Sequence, residues 1–245
     1  DGWGENAASP QAQEFLRALA ALIARSQASR LTKSGIASAS STSGKDSPRY
    51  TICVLPFVNM SGDPEQEYFS DGITEDIITD LSKVSALAVV SRNSAFMYKG
   101  KLVDVPKVAR ELKVQHVLEG SVRKSGGRVR ITAQLVDGAT SDNVWAERYD
   151  RDLNDIFALQ DEISEAIVKA LKLKLLPEEK KAIEQRGTTN LDAYNLYLMA
   201  RQHYATGNEG DIRRNEAIVR LCKRAAEIDP DYAQAWALMA LGQML

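Results

Sequence analysis

Within residues 117–149 the chain switches to a period of two, most plainly over 128–136, and nothing else in the chain constrains its fold so tightly. In Arg128–Val136, the residues Val129, Ile131, Ala133 and Leu135 alternate with Arg128, Arg130, Thr132 and Gln134. A period of two sends one set to each face of a strand, so one face is buried and the other is wet. Val117–Lys124 and Asn143–Tyr149 read as strands on either side. Ser125-Gly126-Gly127 and Asp137-Gly138 supply the turns between them. The expectation is a three-stranded antiparallel run.

Upstream the pattern differs. Tyr50–Val58 (YTICVLPFV) is apolar and β-branched and reads as a buried strand, and residues 86–91 (ALAVVS) as a second one. Between them Ile73, Ile77, Leu81 and Val84 fall on one helical face of Gly72–Val84. After them Asp104 is placed to cap a helix with Pro106 in its first turn, and Val108, Ala109 and Leu112 are expected inward. Strand-helix alternation of this kind favours parallel pairing. Beyond the three strands, Ile156, Leu159, Ile163, Ile167, Ala170 and Leu171 mark a helix over about Leu153–Leu175, which Pro177 ends. The fold class is therefore α/β, a mixed sheet with flanking helices in the order β-α-β-α-β-β-β-α, over residues 49–176.

The ends read differently. Residues 11–25 carry a helical stripe, and 1–25 read as the terminal helix of a preceding domain. Residues 26–48 are rich in Ser, Ala, Thr and Gly without a period and read as a flexible linker. Residues 187–245 are all helical: Tyr194–Tyr204 and Asn215–Ile228 pair across a turn at Thr206–Gly210, Asp229-Pro230 breaks the chain, and Ala233–Leu245 begins another helix. The start at Asp1 and the stop within a helical pattern suggest a piece of a longer polypeptide.

Two stretches carry a resemblance, VLPFVNMSGDPEQEYFSDGITEDIITDLSKV at 54–84 and LEGSVRKSGGRVRITAQLVDGATSDNVWAERYDRDLNDIFALQDEI at 118–163. Together they resemble the TolB amino-terminal-like (FlgO-like) domain. That resemblance implies a mixed sheet flanked by helices, placed after an adenylate cyclase or winged-helix domain and before tetratricopeptide repeats in bacterial signalling proteins. AAEIDPDYAQAWALMA at 225–240 resembles a tetratricopeptide junction, with Ala225 at the small-residue position, Pro230 as the terminal proline and Trp236 at the aromatic position. The preceding unit departs from the pattern, with Ile218 where Ala is usual. DGWGENAASPQAQEFLRALAALI at the start is somewhat similar to the tail of a TIR domain.

Composition and motifs limit the chemistry. With 31 basic and 33 acidic side chains the net charge is −2, so no global field draws nucleic acid. Arg123, Lys124, Arg128 and Arg130 cluster on one hairpin but lack interleaved aromatics, and the reading is no nucleic-acid partner. Phe15–Ala24 is too short to span a bilayer, which takes about 20 residues. Gly62 and Gly72 flank a strand-helix loop without a phosphate-binding motif and read as turn residues. Asp63, Glu65, Glu67, Asp71, Glu75 and Asp76 match no calcium loop and read as a solvated surface. His116, His203, Cys53 and Cys222 read as structural. No catalytic residue, metal ligand or cofactor is assigned, and the chain itself reads as non-enzymatic. The expectation is a regulatory, protein-interaction segment: the α/β module senses or scaffolds, and the repeats dock a protein partner through Asn195, Gln202 and Trp236. The parent polypeptide then carries any catalysis upstream, as adenylate cyclase or TIR protein. A cytoplasmic location follows if the first helix belongs to a cytoplasmic domain; a periplasmic one is the alternative.

Overall fold

A computed structural model describes residues 50–206 and 211–244. The terminal helix and linker expected over 1–48 lie outside the described residues. Among those described, six strands form one mixed sheet: β1 (Tyr50–Val54), β2 (Val58–Asn59), β3 (Leu87–Val89), β4 (His116–Ser125), β5 (Arg128–Asp137) and β6 (Asn143–Asp152). The order is β3-β1-β4-β5-β6, with β2 also on β4. β1 pairs in parallel with β3 and β4, and β4-β5-β6 form the antiparallel run. The parallel half follows from the strand-helix alternation of its sequence and the antiparallel half from its short turns and period of two.

Helices α1 (Glu67–Ser82) and α4 (Ile156–Ala170) cover one face. Their apolar stripes meet Ile52, Val54, Leu118, Val122, Ile131 and Leu135 in the main core. The opposite face is covered at its β1-β4 end. There α2 (Arg92–Phe96) and α3 (Val105–Leu112) bury Ala95, Val108 and Ala109 against Cys53, Leu55 and Val117. Over β5 and β6 that face is open, and Arg130 and Thr132 are exposed.

Several boundaries differ from expectation, each for a physical reason. The first strand breaks at Pro56, which has no N–H to give to the ladder. Val54 pairs with Leu118, and the chain resumes pairing at Val58 opposite Ser121. Phe57 then lies across Gly120, where a Cβ would come within 2.9 Å of its ring. Gly72 sits inside α1 rather than ahead of it. The helix expected to reach Leu175 ends at Ala170, and Lys172 turns left-handed at φ 55°. Pro177 does not end a helix but opens α5 (Pro177–Glu184), occupying the first turn where a missing N–H costs little. Glu179 completes that start, accepting from Leu176 N at 3.0 Å and from Ser85 N at 2.8 Å.

The C-terminal segment is α6 (Leu191–Thr206), α7 (Ile212–Ile228) and α8 (Ala233–Met244). Small residues set their packing: Ala193, Ala225 and Ala235 gather around Tyr232, and Ala200 and Cys222 around Ile218 and Leu238. Asp211 caps α7, accepting from Arg213 N at 3.1 Å. Yet α6 is not free of the α/β domain. Tyr194 and Leu198 belong to the same buried cluster as Ile73 and Ile156.

Candidate functional site

The seam between α1 and α6 concentrates the buried polar chemistry of the chain. Helix α1 carries Glu67, Asp71, Glu75, Asp76 and Asp80. Steps of four put 67, 71 and 75 along one side of the helix, and 76 and 80 along a second line about 100° further round. The sequence reading placed the first four of these in solvent and did not single out Asp80. The structure overturns that for Asp71 and Glu75, which are buried at 7% and 6% exposure, and buries Asp80 as well, at 1%. Asp63 and Glu65, in the preceding loop, are exposed as expected.

Buried carboxylates need cations. Local ones come from the segment after β3: Arg92 reaches Glu75 at 2.7 Å, and Lys99 reaches Glu67 at 3.1 Å and also pairs with Asp71. Distant ones come from the C-terminal side. Arg201 on α6 pairs with Glu75. Arg186, in the α5–α6 connection, reaches Asp80 at 3.0 Å and pairs with Asp161 on α4. Asp80 also holds Lys83 at 2.9 Å. Asp76 is tied by neutral donors: the Tyr194 hydroxyl donates to it, and Gln160 Nε2 does so at 2.8 Å.

Burial dominates the electrostatics. It raises the Asp76 carboxyl, against the hydrogen bonds of Tyr194 and Gln160 and the charge of Arg186. It raises Asp71 against the pull of Lys99. Burial works against the Arg186 charge, but Asp80 and Asp161 more than offset it and the guanidinium is held charged. Tyr194, fully enclosed beside Asp76, is held far above its ordinary range as a neutral donor.

A cleft of about 210 Å³ opens at this seam, lined by Asp76, Asp80, Gln160, Arg186, Tyr197 and Tyr232 among others. Gln160 Oε1 and Arg186 Nε are buried there without a hydrogen-bond partner. A few steps along α1, Gly72 meets Leu198, and a Cβ at Gly72 would lie 2.5 Å from its Cδ1. Only glycine lets the two helices approach this closely.

The residues expected to face a partner are placed unevenly. Gln202 lines the crevice between α6 and α1 with Gly72 and Leu198. Asn195 is partly buried, its Oδ1 unpartnered. Trp236, on α8, is 41% exposed and its indole N–H donates to Pro230 O at 2.9 Å. Burial pushes both thiols, Cys53 and Cys222, up to about 12, so these core cysteines are inert. His116 is partly buried beside the Tyr50 ring. Three of the four hairpin cations are occupied as well: Arg128 and Arg130 both bond Asp150, and Lys124 lies 4.8 Å from the centre of the Phe69 ring. Among the described residues no group of three or more His, Cys, Asp and Glu could hold a metal ion, and no helix is long and apolar enough to cross a membrane.

Comparison with known proteins gives three findings. Residues 48–166 match the family model of the HilA/YgeH-like transcriptional regulator, second domain. The chain is 54% identical over 191 residues to "Putative adenylate cyclase 3" of Rhizobium meliloti (strain 1021), covering 78% of this chain and 32% of that protein. Among solved structures it is similar to TolB from Acinetobacter baumannii, 18% identical with a TM-score of 0.39 over 50% of this chain and 28% of that one. It is also similar to the LpoB C-terminal domain from Salmonella enterica, 16% identical with a TM-score of 0.36 over 45% and 87%. The chain thus spans about a third of the length of the curated relative it matches.

Proposed function

We propose that this chain is a non-catalytic regulatory segment of a bacterial multidomain signalling protein. In this reading α6–α8 begin a tetratricopeptide-type array that docks a protein partner, and the α/β domain passes the docking event to an output domain elsewhere in the polypeptide. One observation carries it: the helical segment is keyed into the α/β domain by Arg201, Arg186, Tyr194 and Leu198, so a load on α6 bears directly on α1. A partner pulling on a segment tethered only by a flexible linker would transmit nothing. Trp236 is the exposed anchor for that partner; Asn195 and Gln202 act on the side turned toward α1. The identity to a protein named as an adenylate cyclase supports a cyclase as the output, in the cytoplasm where ATP is available. The match to the second domain of transcriptional regulators supports a second reading, in which the output domain binds DNA.

The test uses a native full-length polypeptide of the cyclase type. Arg201→Ala loosens the joint without touching a catalytic group, and cyclic AMP formation is expected to change several-fold. The isolated chain, given Mg-ATP, is expected to make none. Unchanged output in the variant would refute the regulatory reading, and cyclic AMP from the isolated chain would refute the non-catalytic one.

A further inference from the structure

Strand β6 forms an edge of the sheet. It pairs with β5 alone, and among the described residues no strand pairs with its other side. It is ten residues long. Edge strands are usually guarded by shortness, proline, lysine or a bulge that twists them away. Asn143–Asp152 contains no proline and no lysine. The register shift in the β5-β6 pair falls near its beginning, opposite Leu135/Val136, so the stretch from Trp145 to Asp152 runs regularly. Glu147, Arg148 and Arg151 are exposed.

Its charges are not a like-signed guard. They read Glu147, Arg148, Tyr149, Asp150, Arg151, and about Tyr149 this order is its own complement in reverse. A second copy laid antiparallel with Tyr149 opposite Tyr149 sets Glu147 against Arg151 and Arg148 against Asp150. Twofold symmetry gives each of these pairs twice. Opposed residues must share a face. Glu147 and Arg151 lie on the helix-covered face with Tyr149, which is buried at 3% exposure, while Arg148 and Asp150 lie on the open face. Shifting the register by one residue would turn the faces against each other. Shifting it by two puts Arg148 opposite Arg148 or Asp150 opposite Asp150. One register therefore stands out. The existing partners do not forbid it: Glu147 accepts from the Tyr149 hydroxyl at 2.6 Å through one oxygen only, and Arg151 reaches Glu162 at 3.3 Å with both side chains about half exposed, a kind of pair that exchanges readily. Asp150 already holds Arg128 and Arg130, so the Glu147–Arg151 pairs on the other face carry more of the discrimination.

We infer that two copies of this chain associate through β6, antiparallel about Tyr149, joining their six-stranded sheets edge to edge. Sedimentation equilibrium on the whole chain tests it. The wild type is expected to dimerise. Glu147→Arg faces arginine with arginine twice, Arg151→Glu faces glutamate with glutamate twice, and either is expected to raise the dimer dissociation constant by about tenfold or more. Mixed in equal amounts, the two variants are expected to form a heterodimer, because both cross pairs are then opposite in sign. The double variant E147R/R151E is expected to self-associate like the wild type. A monomeric wild type, a dimer indifferent to both reversals, or a mixture no tighter than its components would each overturn the inference.

Discussion

Replacing Gly72 with alanine asks directly whether α6 is seated on α1. In an exposed helix the change would stabilise the fold by about 1 kcal/mol, because glycine loses more backbone entropy than alanine. Here the new methyl would lie 2.5 Å from Leu198 Cδ1 and 2.6 Å from Cδ2. That is well inside the 3.5–4.0 Å at which carbon atoms attract. Leu198 is 2% exposed and enclosed by the main core, so it has little room to swing aside. Overpacking a core costs about 1–3 kcal/mol, and a clash this deep belongs in the upper half of that range. Set against the helix gain, the expected net effect is a loss of about 1–2 kcal/mol, read by urea denaturation followed by circular dichroism. Leu198→Ala alone is expected to cost about 2–5 kcal/mol through the cavity it leaves. The double variant is expected to cost less than the sum of the two, because the alanine methyl partly fills that cavity. The coupling should be about 0.5–3 kcal/mol. Stabilisation by G72A alone, or strict additivity in the cycle, would refute the contact.

The remaining predictions concern neighbouring parts of the same architecture. Arg186→Ala leaves Asp80 to Lys83 alone and Asp161 without its cation, and should lower stability by about 3 kcal/mol in the same assay. Burial raises the Asp76 carboxyl in the folded state, so its contribution to stability is fullest below its unfolded value of about 3.9 and is lost as pH rises through the higher folded value. Asp76→Asn keeps an acceptor for Tyr194 and removes the charge, so denaturation midpoints measured across mildly acid to neutral pH should fall less steeply than in the wild type. Gly120→Ala would press a methyl onto the carbonyl of Thr132 and the Phe57 ring, and a loss of about 3 kcal/mol is expected by thermal or urea melting.

Much of the sheet was legible because period two is a local signal. Val129, Ile131, Ala133 and Leu135 announce their face by spacing alone, and all four are fully buried. Ile156, Leu159, Ile163 and Ile167 announce theirs by the helical period in the same way, and each is at most 1% exposed. The seam was not legible in this way. Asp71, Glu75 and Asp80 look like a soluble helix face until Arg186 and Arg201 arrive from the far end of the chain, and charge patterning along one helix carries no record of partners so distant. A usable signal did exist. The carboxylates advance in steps of four beside an apolar stripe that already accounts for α1's buried side, and Gly72 interrupts an otherwise good helix at a position that needs no turn. Read together they suggest a second packing surface on α1. Boundaries such as Pro177 were misplaced for a simpler reason: proline suits the first turn of a helix as well as the stretch after its end.

Transmission across the seam requires the α/β domain and the C-terminal helices to unfold as one cooperative body. Native-state hydrogen exchange tests this most directly, by comparing amides in α6 with those in α1 and β4. The most protected amides of Leu191–Thr206 are expected to open with the same free energy, and the same urea dependence, as those of Glu67–Ser82. If α6 instead opens at a distinctly lower free energy while α1 and β4 stay protected, the two parts are merely neighbours and the seam transmits nothing.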